Sequence, residues 1–347
     1  MYSLLAHIRR FDWLLLGAVL LLMGIGLITL YSLSATSAHP FFFRQLIWVS
    51  VGLFFLLTAS FVDFRFFRTQ SAAVLLCYAI SVALLAAVLL INLKVRGVEA
   101  WLRIGSFTVQ PVEAAKLALI VLLAKFFSKR HIEIYRIRHL IVSGLYVLVP
   151  TALVLAQPDL GSAMVLIGIW VVIVLFSGMK WRHIALLALL FAIVSTLMWQ
   201  WGLAPYQKAR ITSFLNPNED SRGAGYQTIQ SMIAVGSGQL WGKGLGYGSQ
   251  SHLNFLPEAE ADFIYAAFAE EWGFVGTLIL IGLFSIVYWR IVHIGTVAAD
   301  NFSRLYAIGF ATYIFIQGFF HFGTNMGFLP ITGITLPFVS YGGSSLI

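Results

Sequence analysis

The sequence predicts an all-α fold, a polytopic transmembrane helical bundle of about ten helices with the last one truncated. Two observations lead to this prediction. Apolar residues make up 60% of the 347 residues and charged residues only 10%, whereas soluble domains carry about 25% charged residues. The apolar residues also collect in runs long enough to cross a hydrocarbon layer of about 30 Å. A chain of this kind belongs in a lipid bilayer.

Nine apolar runs are predicted to be spanning helices, and a tenth is expected to open near Leu336 and to be cut off at Ile347. The nine runs are 13–33, 43–62, 71–91, 111–127, 140–156, 161–178, 183–203, 264–289 and 302–322. We therefore treat residues 1–347 as a single integral membrane domain. The polar stretch at about 204–261 is then a long loop, and a connector of that length is unusual unless it has a function.

The positions of lysine and arginine predict the orientation of the bundle. With the N-terminus inside, thirteen cations fall on inner loops and only Arg44, Lys94, Arg96 and Arg103 on short outer loops. Such a bias marks the cytoplasmic side of a membrane protein. The same scatter over short loops argues against a nucleic-acid surface, although the net charge is +8. The long loop is therefore expected to be extracytoplasmic.

Two familiar kinds of ligand site are not expected. Gly236 to Gly248 is rich in glycine, but it lacks the glycine and hydroxyl spacing of a nucleotide-binding loop. The single cysteine, Cys77, forms no disulfide framework, and no two histidines have metal-ligand spacing.

Ionisable residues inside or beside a span are candidate functional residues, because burying them in lipid is costly. Glu113 and Lys116 are three residues apart on the fourth predicted helix, so they share a face and can pair. They either fix helix packing or form a charged wall of a hydrated cavity. Asp159 and Asp262 each come just before an apolar helix, where each can be an N-cap or a group facing the outer mouth.

Five segments resemble signatures of one protein family. Gln110 to Lys116 resembles Q-P-S-E-x-x-K, with Val112 in place of serine, and Ala156 to Ser162 reads A-Q-P-D-L-G-S. Lys208 to Gln227 resembles the family's outer-loop signature, and Phe255 to Ile264 resembles F-L-P-E-A-x-x-D-F-I. Leu336 to Ser345 resembles the closing signature. Together they are similar to the SEDS family (shape, elongation, division and sporulation) over essentially the whole chain, with the cell-elongation branch favoured over the division branch.

The resemblance implies a multi-pass protein of the bacterial inner membrane that polymerises peptidoglycan glycan strands from lipid II. It implies a class B penicillin-binding protein as partner, within the cell-shape (elongation) complex. The family's essential carboxylate falls on Asp262, and its polar cavity residues fall on Glu113, Lys116 and Asp159.

The chemistry implied by the resemblance is a glycosyl transfer from a lipid pyrophosphate. We expect Asp262 to be the general base, with Arg44, Lys116 and Arg210, or a recruited Mg²⁺ or Mn²⁺ ion, meeting the departing pyrophosphate. A lipid II flippase and a non-catalytic scaffold of the cell-wall machinery are the alternatives. The flippase would use Glu113 and Lys116 as part of its path, although we find no inverted repeat of the kind that transporters often carry.

Overall fold

The computed structural model describes residues 11–35, 40–63, 65–91, 102–104, 107–129, 137–217, 223–343 and 346. The elements in chain order are α1 (Trp13–Ser34), α2 (Phe41–Ser60), α3 (Arg65–Thr69), α4 (Ser71–Ile91), β1 (Leu102–Ile104), β2 (Phe107–Val109), α5 (Pro111–Ser128), α6 (Ile137–Ala156), α7 (Leu160–Phe176), α8 (Trp181–Leu197, followed by a π turn, Met198–Gly202), α9 (Pro205–Leu215), α10 (Ala224–Ser237), α11 (Ser249–His252), α12 (Ile264–Val297) and α13 (Asn301–Asn325).

The predicted all-α membrane fold is confirmed. Each of the nine predicted apolar runs coincides with a helix, and seven helices in the described ranges are long and apolar enough to cross a membrane. α7 is apolar but shorter, and α5 carries the charged residues noted above. The two short strands pair antiparallel just before α5. The protein is therefore a multi-pass membrane protein.

The tenth helix does not begin at Leu336 as predicted. Residues 336–343 form turns, and Phe338 has a φ of +66°, which a helix does not allow. The Ser340 hydroxyl accepts a hydrogen bond from the amide of Leu336 at 2.8 Å, so the side chain holds a turn where a helix was expected. The count of ten helices stays a prediction.

Aspartates precede three of the apolar helices. Asp12, Asp159 and Asp300 each accept a hydrogen bond from the amide three residues on, at 3.1, 2.9 and 3.0 Å. Such a cap satisfies one of the free amides of the first turn and stabilises a helix by about 1 kcal/mol. Of the two alternatives for Asp159, the N-cap is observed, and a role in binding substrate stays a prediction.

α13 lies at the centre of the bundle, where it packs against α5, α7 and α12. It is the most buried of the long apolar helices, with 61% of its apolar window inside the protein. By contrast, the span that contains α8 has 0% of its window buried. The polar residues of α13 are therefore held in the interior, whereas α8 stands at the lipid-facing edge.

Ion pairs mark one end of the bundle. Arg290 near the end of α12 binds Asp12 at 2.6 Å, and Arg68 binds Asp300 at 3.3 Å. Asp262 precedes α12 and therefore lies at the opposite end, together with Asn325 at the end of α13. We refer to these ends as the Asp12 end and the Asp262 end.

α12 is broken at Gly273. Its φ of +66° and ψ of −164° are not helical, and glycine adopts this conformation at little cost. A Cβ at this position would lie 2.2 Å from the amide nitrogen of Gly242, so the long loop lies directly against the break. The break separates a buried half-helix that follows Asp262 from a longer half that runs to the Asp12 end.

Candidate active site

Asp262 lies in the turn that leads into α12. Its amide donates to the carbonyl of Glu258 at 3.1 Å, and the next two residues, Phe263 and Ile264, are buried. Asp262 itself is half-buried. The N-cap of α12 is Phe263, and no side chain caps it from that position. Asp262 is therefore not the N-cap of α12, which was one of the two alternatives for this residue.

Asn325 of α13 holds the backbone on both sides of this turn. Its side-chain amide donates to the carbonyl of Asp262 at 3.0 Å and accepts from the amide of Ala266 at 3.1 Å. It also donates to the carbonyl of His321 at 2.8 Å. Asn325 is 0% exposed, so these bonds form where water does not compete. The position of Asp262 is thus fixed to the central helix.

The segment after α13 holds the residues that precede Asp262. The Ser340 hydroxyl donates to the carbonyl of Ala261 at 2.8 Å, and the amide of Tyr341 donates to the carbonyl of Glu260 at 2.9 Å. Gln45 of α2 binds the carbonyl of Ser340 and the amide of Gly342 at 3.1 and 3.2 Å. The closing signature is therefore part of the support of the site.

The carboxylate of Asp262 borders the backbone at residues 332–334. A Cβ placed on Gly333 would lie 3.6 Å from Oδ2 of Asp262. The start of α7 packs on the same segment, since a Cβ on Gly161 would lie 2.8 Å from the carbonyl oxygen of Thr332. Asp159, the cap of α7, therefore belongs to the Asp262 end of the bundle.

Glu113 and Lys116 pair as their spacing predicted. Nζ of Lys116 lies 2.8 Å from Oε1 of Glu113, and the hydroxyl of Tyr313 donates to Oε2 at 2.8 Å. Lys116 is 1% exposed and also lies over the Tyr313 ring, 5.7 Å from its centroid. Twelve residues of α13 separate Tyr313 from Asn325, which is about 18 Å along a helix. The Glu113–Lys116 pair therefore lies deeper in the bundle than Asp262.

The two arginines lie on elements that reach the Asp262 end. Arg44 is exposed on the first turn of α2 and precedes Gln45, which binds the closing segment. Arg210 is half-exposed on α9, which packs against α10. Ser231 of α10 in turn donates to the backbone carbonyl of Asn325 at 2.8 Å.

Sequence reasoning missed Glu270, which is 0% exposed. Its carboxylate accepts hydrogen bonds from five donors on the long loop. The donors are Nζ of Lys243 at 2.8 Å, the amide of Gln250 at 2.9 Å, the hydroxyl of Ser249 at 3.2 Å, and the hydroxyl and amide of Ser251 at 3.1 and 3.2 Å. Glu270 therefore fixes the loop that leads to Asp262. An acid inside an apolar run was the available signal.

The adjacent Glu271 was missed as well. Its Oε1 accepts from the hydroxyl of Ser32 at 2.5 Å and from the amide of Gly246 at 3.0 Å, and it lies 2.9 Å from Nε2 of His252. One carboxylate oxygen thus joins α1, the long loop and α12.

A polar stripe on α13 was also missed. Tyr313, Gln317, His321 and Asn325 recur every fourth residue, so they share one face of the helix. Nδ1 of His321 lies 2.8 Å from the carbonyl oxygen of Ile334. The stripe runs along α13 from the level of Glu113 to the level of Asp262. A search for polar residues spaced four apart in the sequence would have revealed it.

The described residues do not form a metal centre of their own. Among them, no three histidine, cysteine, aspartate or glutamate side chains are grouped as metal ligands. Proteins hold Mg²⁺ and Mn²⁺ mainly through clustered oxygen ligands.

These features define a class of protein. It is a multi-pass helical membrane protein with a carboxylate held at one end of the bundle and a buried ion pair beneath it. Such a site suits a reactant that is itself anchored in the membrane.

Comparison with known proteins identifies the family. The family model FTSW_RODA_SPOVE, described as cell cycle protein, matches residues 12–347. Stage V sporulation protein E of Bacillus subtilis is 40% identical over 346 residues, covering 96% of this chain and 93% of the relative. Peptidoglycan glycosyltransferase MrdB of Escherichia coli K12 is 40% identical over 271 residues, covering 78% of this chain and 73% of the relative.

A solved structure has the same fold. It is described as showing the structural coordination of polymerization and crosslinking by a peptidoglycan synthase complex. The TM-score is 0.81 at 32% identity, over 97% of this chain and 94% of the other. This chain belongs to the FtsW/RodA/SpoVE family, which is the SEDS family that its motifs resemble.

Proposed function

We propose that this protein is a peptidoglycan glycosyltransferase that polymerises β-1,4 glycan strands from lipid II for cell elongation and shape. Membership of a family with relatives named peptidoglycan glycosyltransferase supports the activity. The role in elongation rests on the resemblance of the motifs to the cell-elongation branch, and the sporulation relative and MrdB are each 40% identical to this chain.

The observation that carries the proposal is the placement of Asp262. Its backbone is held by Asn325 and its neighbours by Ser340, while its own side chain is only half-buried at the end of the bundle. A general base needs such a fixed position together with access to its substrate. A lipid-linked substrate can keep its tail in the bilayer and bring its sugar to this end.

The reaction needs one base and positive charge. Asp262 takes the proton from the 4-hydroxyl of the acceptor sugar, whose oxygen bonds to the anomeric carbon of the donor. The bond from that carbon to the pyrophosphate breaks, and the prenyl pyrophosphate leaves with the electron pair. Pyrophosphate is a good leaving group, so the paired acid of a glycosidase is not needed. A base of this kind contributes about 10²–10⁴-fold.

Cations stabilise the departing pyrophosphate in this proposal. Arg44 and Arg210 are assigned this role because both lie on elements that reach the Asp262 end. Lys116 is already paired with Glu113, and Asp159 caps α7. We assign Glu113, Lys116 and Asp159 to the polar groups that position the substrate.

Orientation and partner complete the proposal. The distribution of lysine and arginine supports a cytoplasmic N-terminus in the bacterial inner membrane and an extracytoplasmic Asp262 end. A class B penicillin-binding protein is the proposed partner, since the similar solved structure is a complex that coordinates polymerization and crosslinking.

Reconstitution with lipid II and the matched penicillin-binding protein tests the proposal. Asp262→Asn is expected to lower the polymerisation rate at least 10²-fold, because it removes the base without changing the side-chain volume. Glu260→Gln is the matched control, since it neutralises a half-buried carboxylate two residues away and is expected to keep most of the activity. Normal polymerisation by a folded, partner-bound Asp262→Asn protein would remove Asp262 from this role.

A lipid II flippase is the second candidate function. The buried Glu113–Lys116 pair and the polar stripe of α13 favour it, because they place polar groups deep in the membrane. The same vesicles separate the two functions. A polymerase makes glycan strands, whereas a flippase moves labelled lipid II to the other leaflet and makes none.

A further inference from the structure

We propose that the glycine-rich loop, residues 239–248, is seated in the membrane interface, with lipid as its partner. Two hydrogen bonds tie the loop to the lipid-facing half of α12. The amides of Phe274 and Val275 donate to the carbonyls of Gln239 and Leu240 at 2.8 and 3.1 Å. The loop therefore has a fixed height on a spanning helix.

That height follows from two contacts between α1 and α12. The Asp12–Arg290 ion pair joins the helices at one end, and the Ser32–Glu271 hydrogen bond joins them near the other. The two contacts are twenty residues apart on the unbroken α1, which is about 30 Å of helix. The hydrocarbon layer of a bilayer is also about 30 Å thick. Glu271, and the loop bound to it, therefore lie at the edge of that layer.

The loop exposes large apolar side chains at this height. Trp241 is 78% exposed and Tyr247 77%, and Leu240 and Leu245 are 62% and 44% exposed. Tryptophan and tyrosine are enriched where membrane meets water, because their rings are apolar and their tips are polar. Exposing four large apolar side chains of one short loop to water would be unfavourable.

The surface beside the loop is apolar too. Phe274 and Leu278 of α12 are 54% and 53% exposed, as expected for a helix that faces lipid. A small cleft of about 110 Å³ opens between α1 and α12. Its lining residues are Ile25, Ile28, Phe268, Trp272, Gly276 and Ile279. The apolar side chains of the loop thus continue the membrane surface of the bundle.

The polar groups of the loop fit the interface. The amides of Lys243 and Gly244 donate to the carbonyls of Glu270 and Glu271, each at 3.0 Å. The single charge of the loop, on Lys243, is paired with Glu270 at 2.8 Å. Irregular backbone is not tolerated facing the hydrocarbon centre, which is why we place the loop at the boundary and not within the layer.

Spin labels at single cysteines test this placement. Cys77 is the one cysteine in the chain, so Cys77→Ser gives the background for Trp241→Cys and Tyr247→Cys. The labelled protein is reconstituted in phosphatidylethanolamine–phosphatidylglycerol vesicles, and collision rates with oxygen and with a water-soluble nickel chelate are measured. Leu278→Cys is the lipid reference and Gln70→Cys, which is exposed before α4, is the loop reference.

We expect both loop labels to collide more with oxygen than with the nickel chelate, with a ratio between those of the two references. Ratios equal to that of Gln70→Cys would overturn the proposal by placing the loop in water. Low collision rates with both reagents would also overturn it, because a second copy of the protein would then cover the loop. Leu240→Cys provides a third site if either aromatic substitution lowers expression. The outcome does not depend on whether Asp262 is catalytic.

Discussion

Asn325 is expected to be a positioning residue whose loss affects turnover more than substrate affinity. Asn325→Ala removes the side-chain partner of three backbone groups. The carbonyl of His321 lies within α13 and keeps its helical bond, whereas the carbonyl of Asp262 and the amide of Ala266 lose the partner that this side chain supplies. Each buried group left without a partner costs about 1–3 kcal/mol. The expected loss is therefore about 2–6 kcal/mol in the free energy of unfolding.

Asn325→Ala is also expected to lower the activity, because the backbone at Asp262 is no longer held in place. A displacement of a catalytic group by about 1 Å costs about 10²-fold in rate. We therefore expect kcat to fall about 10²-fold in the lipid II polymerisation assay, with KM changed less than threefold, since Asn325 is 0% exposed and does not line the surface.

Ser231→Ala is the matched control. The Ser231 hydroxyl donates to the backbone carbonyl of Asn325 and not to its side chain. This variant is expected to lose about 1 kcal/mol of stability and to keep its kcat. A folded Asn325→Ala protein with kcat within twofold of the parent, or one in which KM alone rises, would refute the positioning role.

Three further predictions concern the supports of the bundle. Gly273→Ala is expected to lower the free energy of unfolding by at least about 3 kcal/mol, because its Cβ would lie 2.2 Å from the amide nitrogen of Gly242. The control Gly24→Ala, with open space around it, is expected to keep or raise the thermal unfolding midpoint. Equal midpoints for the two variants would contradict this prediction. Glu270→Gln is expected to destabilise more than Glu271→Gln in the same assay, because both oxygens of Glu270 accept hydrogen bonds while Oε2 of Glu271 has no partner among the described residues. Burial raises the pKa of Asp12, but the hydrogen bond and charge of Arg290 outweigh it, so the pKa lies below its ordinary 3.8. The stabilisation by this pair, about 0.5–1 kcal/mol, is therefore fully present above pH 3.8 and lost as the pH falls through the lowered pKa. Urea unfolding of the protein and of Asp12→Asn should differ at pH 7, and the difference should shrink as the pH is lowered below 3.8 towards the lowered pKa. A difference that stays constant throughout the acid range would exclude the linkage.

Local sequence rules predicted the parts of the fold that depend on nearby residues. Hydropathy located the spanning helices, because crossing lipid requires one continuous apolar run. The spacing of Glu113 and Lys116 predicted that they can pair, and an N-cap was one of the two alternatives for Asp159. These interactions join residues three apart, so helix geometry alone decides them.

The support of Asp262 was not predictable in this way. Asn325 is 63 residues further along the chain, and nothing local distinguishes it from other polar residues of α13. The break at Gly273 lies inside an apolar run that continues through it, so hydropathy predicts one helix there. The turn at Leu336 forms because Ser340 and Gln45 bind its backbone, and Gln45 is 295 residues away from Ser340.

The bonds from Ser340 to Ala261 and from Gln45 to Ser340 have a consequence for biosynthesis. Ribosomes add about 5–20 residues per second, so Ser340 emerges roughly 4–16 s after Ala261 at that pace. During this interval the turn before Asp262 lacks the hydrogen bonds from Ser340 and Tyr341. The support of the Asp262 turn is therefore complete only after the last of the described helices has been translated, and a chain that stops before Ser340 lacks it.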